Sequence, residues 1–176
     1  MFRPLLAAAV LALSAAPAGA EVVSRTTDSF TLRYAVAVEI APDDIAPALA
    51  ALPQWWDPAH TYSGSASNLS LDLTPGGCWC EKLPDGTAFD HGRTVSVGPD
   101  SFVFSAPFGP MRGKTTKAEL TVTWPAANRG WTPTWMMVVE GPGIGAMADG
   151  VDAVMGAGYQ RWLYYLEYGE APAPSA

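Results

Sequence analysis

The residues best suited to chemistry lie in one short stretch, Gly76-Gly77-Cys78-Trp79-Cys80-Glu81, answered after a turn by His91-Gly92-Arg93. Asp85-Gly86 between them is a strong hairpin signal. A two-residue turn, or a four-residue Pro84–Thr87 loop, puts Cys80 opposite His91 and Cys78 opposite Arg93. Side chains alternate along a strand, so Cys78, Cys80, His91 and Arg93 share a face with Phe89, Val95 and Val97. Glu81 and Asp90 share the other. The apolar company of the first set points it inward, and the carboxylates of the second point to solvent.

Three kinds of chemistry fit that set. The cysteines could be small buried packing residues, with His91 hydrogen-bonded among them. They could form a disulfide in an oxidising compartment, although same-face residues two apart on a strand stand about 6.5–7 Å apart at Cα, the edge of bridgeable geometry. Cys78, Cys80 and His91, with His60 as a further ligand, could hold zinc or copper, although Cys-x-Cys is not a standard zinc spacing. That third reading includes a thiolate site, with Cys80 and His91 as a nucleophile pair. These alternatives stand together. Trp55, Trp56, His60 and Tyr62 form an aromatic cluster that is either a cavity entrance or packing against a sheet. Met111, Met136, Met137, Met147 and Met155 read as adaptable core fillers. No Ser-His-Asp motif, nucleotide loop or HExxH motif is present.

The elements that would position these residues follow from periodicity. Phe30 to Ile40 alternates with period two and predicts a strand. Ala41-Pro42-Asp43-Asp44 then leads into a short helix carrying Ile45, Leu49 and Leu52, with Asp43 or Asp44 as cap and Pro53 as terminator. Strands are expected around Leu69–Leu73, Cys78–Leu83, Ala88–Val97 and Ser101–Ala106, and in a last hairpin, Thr115–Trp124 and Trp131–Glu140. The chain ends in an amphipathic helix whose stripe runs Val151, Val154, Met155, Tyr159, Trp162, Leu163, Leu166, with Gln160, Tyr164 and Glu167 opposite. Gly156 and Gly158 weaken that helix by about 1 kcal/mol each, which close packing or space for a ligand would justify.

Residues 1–20 read as a cleaved signal peptide: Arg3, an apolar run from Leu5 to Leu13, and Ala18-Gly19-Ala20 before the cut. That run is too short for a bilayer, which takes about 20 residues. The expected product begins at Glu21, is not membrane-spanning, and is periplasmic or secreted. Residues 21–28 form a lead-in, 29–169 one domain, and 170–176 a disordered tail. The chain of 176 residues carries a net charge of −7 without basic clusters, which argues against nucleic acid as a partner.

The order of these pieces resembles the START/Bet v 1-like (SRPBCC, helix-grip) superfamily, in its polyketide-cyclase and Hsp90-ATPase-activator-homologue branch. The likeness is carried by Val38-x-Ile40-Ala41-Pro42, Trp55-Trp56, Gly76-Gly77-x-Trp79, Asp85-Gly86, Val97-Gly98-Pro99 before Phe102, and the C-terminal helix. It implies an α+β helix-grip fold: a curved antiparallel sheet of six to seven strands wrapped on the long last helix, with short helices after the first strand. It also implies a cavity for a small apolar molecule or lipid between sheet and helix. Tyr34, Trp55, Trp56, His60, Cys80, His91, Arg93, Met155 and Tyr159 are the candidate lining residues. The expected function is a carrier or sensor of such a ligand, without a cofactor. The alternatives are an enzyme on a cyclic or polyketide-like substrate using His91 as acid or base, or a metal module on Cys78, Cys80 and His91.

Overall fold

A computed structural model describes residues 21–173. The signal-peptide segment and residues 174–176 lie outside the described residues. The chain forms one eight-stranded antiparallel sheet. In chain order the strands are β1 (Glu21–Arg25), β2 (Ser29–Ala35), β3 (Leu69–Leu71), β4 (Cys78–Lys82), β5 (Ala88–Gly98), β6 (Ser101–Ser105), β7 (Lys117–Thr123) and β8 (Thr134–Glu140). Their order across the sheet is β1-β2-β8-β7-β6-β5-β4-β3. Short helices α1 (Ile45–Ala50) and α2 (Leu52–Trp55) follow β2, and α3 (Ala148–Tyr168) closes the chain. No helix among the described residues is long and apolar enough to cross a membrane.

The inner face of the sheet is built by alternation: Phe30, Leu32 and Tyr34 on β2, Trp135, Met137 and Val139 on β8, Leu120 and Val122 on β7, Phe102 and Phe104 on β6. Met155, Tyr159 and Trp162 of α3 meet that face and are buried with it. Trp55 at the end of α2 and Trp56 just after it close the layer, with Trp55 donating its indole N–H to the Ala48 carbonyl at 2.8 Å. One continuous apolar core results, in which each fully buried large side chain contributes about 1.5–3 kcal/mol.

Four expectations are corrected. The sheet has eight strands where six to seven were expected, and β1, within the lead-in, pairs with β2. The alternation from Phe30 to Ile40 makes a strand only to Ala35, because the Val36 N–H is taken by the Tyr159 hydroxyl at 3.0 Å instead of a ladder carbonyl. Pro53 starts α2 instead of ending a helix, since a first-turn residue needs no N–H partner. Asp44 precedes α1 without a side-chain capping bond. Past α3, the carbonyls of Pro172 and Ala173 accept hydrogen bonds from Arg161.

The register of the β4–β5 hairpin decides which face each chemical group occupies. Leu83 N–H bonds to the Thr87 carbonyl at 2.8 Å, and Gly86 takes φ +85°. The loop is therefore three residues, with glycine in the left-handed region that such a loop demands. This odd length pairs Cys80 with Asp90 and Glu81 with Phe89; a bulge then restores Trp79↔Gly92 and Cys78↔Arg93.

A groove beside the last helix and a buried Glu81–His91 pair

The bulge turns His91 away from the cysteines. Glu81 and His91 are buried on the inner face, and Cys78 and Cys80 sit half-buried on the other, with Arg93 exposed beside them. The two sulfurs are joined in a disulfide. The expected shared face of Cys78, Cys80, His91 and Arg93 is thus overturned, and with it the metal set, whose members point to opposite sides of the sheet. No cluster of three or more metal-ligating side chains occurs among the described residues.

Glu81 is fully buried and pairs with His91 Nε2 at 2.8 Å. Its two oxygens also accept the backbone N–H groups of Tyr62 and Ser63, which ties the loop after α2 to the sheet. Burial pushes the Glu81 carboxyl up, but the hydrogen bonds from Ser63, His91 and Tyr62 outweigh it and hold the group below the usual glutamate value. Burial pushes His91 down further than Glu81 lifts it. The pair is therefore a carboxylate accepting from a neutral imidazole, which leaves Nδ1 with its lone pair. Tyr62 stacks on the imidazole at 5.8 Å and 12°, and Phe89 meets it edge-on at 4.8 Å.

A separate groove of about 390 Å³ opens between the segment after β2 and α3. Tyr34, Ala35, Val36 and Val38 form one wall, and Gly156, Tyr159, Leu163 and Tyr164 the other, with Gln160, Glu167 and Tyr168 supplying polar groups. Two tyrosines stitch its floor. Tyr34 donates to Asp152 Oδ1 at 2.8 Å, and Tyr159 donates to the Pro133 carbonyl at 2.6 Å. Their rings stack at 5.6 Å. Burial raises both phenols, so they stay protonated donors. At the rim, the hydrogen bond with Glu167 raises Tyr168.

Of the candidate lining residues, the structure brings only Tyr34 and Tyr159 to this groove. Trp55, Trp56 and Met155 are buried in the core. Trp56 donates its indole N–H to the His60 carbonyl at 3.1 Å, while His60 itself is exposed. Cys80 and Arg93 face the opposite side of the sheet from the core, and His91 faces Glu81. Sequence reasoning missed Val36, Val38, Leu163 and Glu81 as site residues. It read Gln160, Tyr164 and Glu167 as the face of the helix opposite its apolar stripe. The signal available was the break in a strand pattern just where the last helix carries its tyrosines.

Eight antiparallel strands packed on a long C-terminal helix, with short helices inserted after β2, define a helix-grip-like fold. Solved structures share it. A protein from Rhizobium leguminosarum aligns with a TM-score of 0.58 at 18% identity, covering 82% of this chain and 99% of its own. The di-domain ARO/CYC StfQ of the steffimycin biosynthetic pathway aligns at TM-score 0.53 and 15% identity, covering 81% of this chain and 52% of its own. DynU16, from the dynemicin biosynthetic locus, aligns at 0.55 and 23%, covering 80% and 48%. This chain therefore spans about half of each of the last two. No protein-family model and no curated protein matches the sequence. Likeness at these identities establishes the fold and nothing finer.

Proposed function

We propose that this is an exported binding protein for a small amphipathic molecule, held in the groove between the segment after β2 and α3. The observation that carries the reading is the groove itself, whose volume of about 390 Å³ lies within the ordinary range of small-molecule sites. Its walls are aliphatic and aromatic, and its polar groups are few and gathered at Gln160, Glu167 and Tyr168. An uncharged aromatic body bearing one hydrogen-bond donor suits that lining. Export is supported by the leader-like pattern of residues 1–20, and a secreted product with a mass beginning at Glu21 would establish it.

The test is titration with N-phenyl-1-naphthylamine, a neutral aromatic amine whose fluorescence rises in apolar surroundings. Saturable binding is expected, weakened at least about tenfold by Tyr164→Asp, which puts a charge on the apolar wall. His91→Gln should leave it unchanged. Binding that ignores Tyr164→Asp would sink the proposal.

The Glu81–His91 pair favours a second reading, in which a substrate is turned over at His91, apart from the groove. A carboxylate that fixes one tautomer leaves the other ring nitrogen available as a general base. An enzyme of this kind would accelerate α-hydrogen exchange of cyclohexanone, and His91→Ala would abolish the acceleration while retaining dye binding.

A further inference from the structure

The Cys78–Cys80 disulfide is not explained by stability. A bond between residues two apart closes so short a loop that it constrains the unfolded chain roughly half as much as one closing a fifteen-residue loop. It also works against its own strand. Residues two apart on a regular strand stand about 6.5–7 Å apart at Cα, whereas Cys78 and Cys80 are at 5.3 Å. The pinch coincides with the place where the β4–β5 register slips, between Trp79 and Cys80.

The surroundings of the two sulfurs are unequal. Cys78 pairs across the ladder with Arg93, and Cys80 with Asp90. Arg93 reaches along the same face to Asp90 at 2.6 Å and to the Gly76 carbonyl at 3.2 Å. Paired residues project to the same side, so the guanidinium lies on the face that carries both sulfurs. A thiolate is favoured at Cys78, whose cross-strand partner is the cation, whereas the partner of Cys80 is Asp90, a carboxylate already paired with Arg93 and, at 3.4 Å, with Arg112. Both cysteines are half-buried on the face turned away from the core, with exposed Ser70 beside Cys80 on β3 and the Arg93 side chain half-exposed.

We propose that Cys78–Cys80 is a redox-active disulfide that oxidises dithiols, with Cys78 as the leaving sulfur. A substrate thiolate attacks Cys80 Sγ, the Cys78–Cys80 bond breaks, and its electron pair leaves on Cys78 Sγ beside Arg93. The substrate's second thiolate then attacks its own sulfur in the mixed disulfide and releases Cys80. The substrate dithiol loses two electrons and becomes a disulfide. The cysteine pair gains them and, with two protons, becomes two thiols. A leaving thiolate stabilised by a neighbouring cation makes the first step fast.

The experiment uses the full, oxidised chain, incubated with reduced glutathione, acid-quenched, alkylated and mapped by peptide mass spectrometry. The expected product carries glutathione on Cys80 and the alkyl label on Cys78, while circular dichroism stays that of the folded protein. Arg93→Gln should slow its formation roughly three- to tenfold, and Arg93→Lys should restore most of the rate. Because lysine keeps the charge but not the forked contacts to Asp90, that rescue separates leaving-group stabilisation from support of the fold. A bond reduced only when guanidinium unfolds the chain would overturn the proposal, as would glutathione found on Cys78 or equal rates in all three proteins.

Discussion

At the scale of the residue, Glu81 and His91 make the stability of the protein depend on pH in two separate windows. The folded state holds His91 below its ordinary value of 6.5, so the unfolded chain binds more protons as pH drops below that value. The His91 contribution is therefore complete above about pH 6.5 and is lost as pH falls from there through the folded-state value. Glu81 is likewise held below its ordinary 4.5, so its contribution is present above that value and is lost as pH falls through the folded-state value. The melting temperature should fall from pH 7.5 to 5.5, and again below 4.5. His91→Gln keeps an N–H donor for the Glu81 carboxylate but cannot titrate, so it should flatten the first fall and leave the second. A series of thermal melts across pH reads both. An unchanged first fall in the variant would mean that another group governs it.

At the scale of the element, two of the three glycines of α3 have opposite consequences. A Cβ on Gly158 would stand 2.6 Å from the Trp56 ring, whereas one on Gly150 would meet nothing within 4 Å. Alanine favours a helix over glycine by about 1 kcal/mol, but forcing a methyl into a packed core costs about 1–3 kcal/mol. Gly150→Ala should thus raise the melting temperature and Gly158→Ala should lower it, despite identical chemistry. If both raise it, Trp56 is not seated on the helix.

The strands and α3 were legible because each rests on a local period, two along Phe30–Tyr34 and 3.6 from Val151 to Leu166. The close packing at Gly158 was one of two readings the sequence allowed, since nothing along the chain shows what a glycine meets. The Cys–His hairpin was misread for a sharper reason. Pro84-Asp85-Gly86-Thr87 accommodates loops of two, three or four residues, and parity alone decides whether Glu81 or Cys80 faces the core. The structure selects three, then inserts a bulge at His91. Neither choice leaves a periodic trace. The groove was half legible. Tyr34 and Tyr159 lie on recognised apolar stripes, but Val36 enters the site only because a distant hydroxyl captures its N–H.

At the scale of the whole molecule, the question is where an apolar guest can go. The resemblance predicted a cavity between sheet and helix, yet that space is occupied by Trp55, Trp135 and Trp162, all fully buried. Trp135 and Trp162 stack at 5.4 Å, and the indole N–H of each lacks a hydrogen-bond partner. Two desolvated donors are tolerated there because the rings fill the volume, and filling is worth more than the lost bonds. Removing one ring should open an interior site between sheet and helix. Trp162→Ala should cost about 3–5 kcal/mol, and added indole should restore part of it by binding only the folded variant. In the native protein the tryptophans fill that layer, so any rise in melting temperature with indole should come from the groove and be abolished by Tyr164→Asp. If indole stabilises the native protein and Tyr164→Asp does not diminish the effect, a guest enters the core by displacing a tryptophan. The groove beside α3 would then be an entrance, and the last helix would have to part from the sheet to admit the ligand.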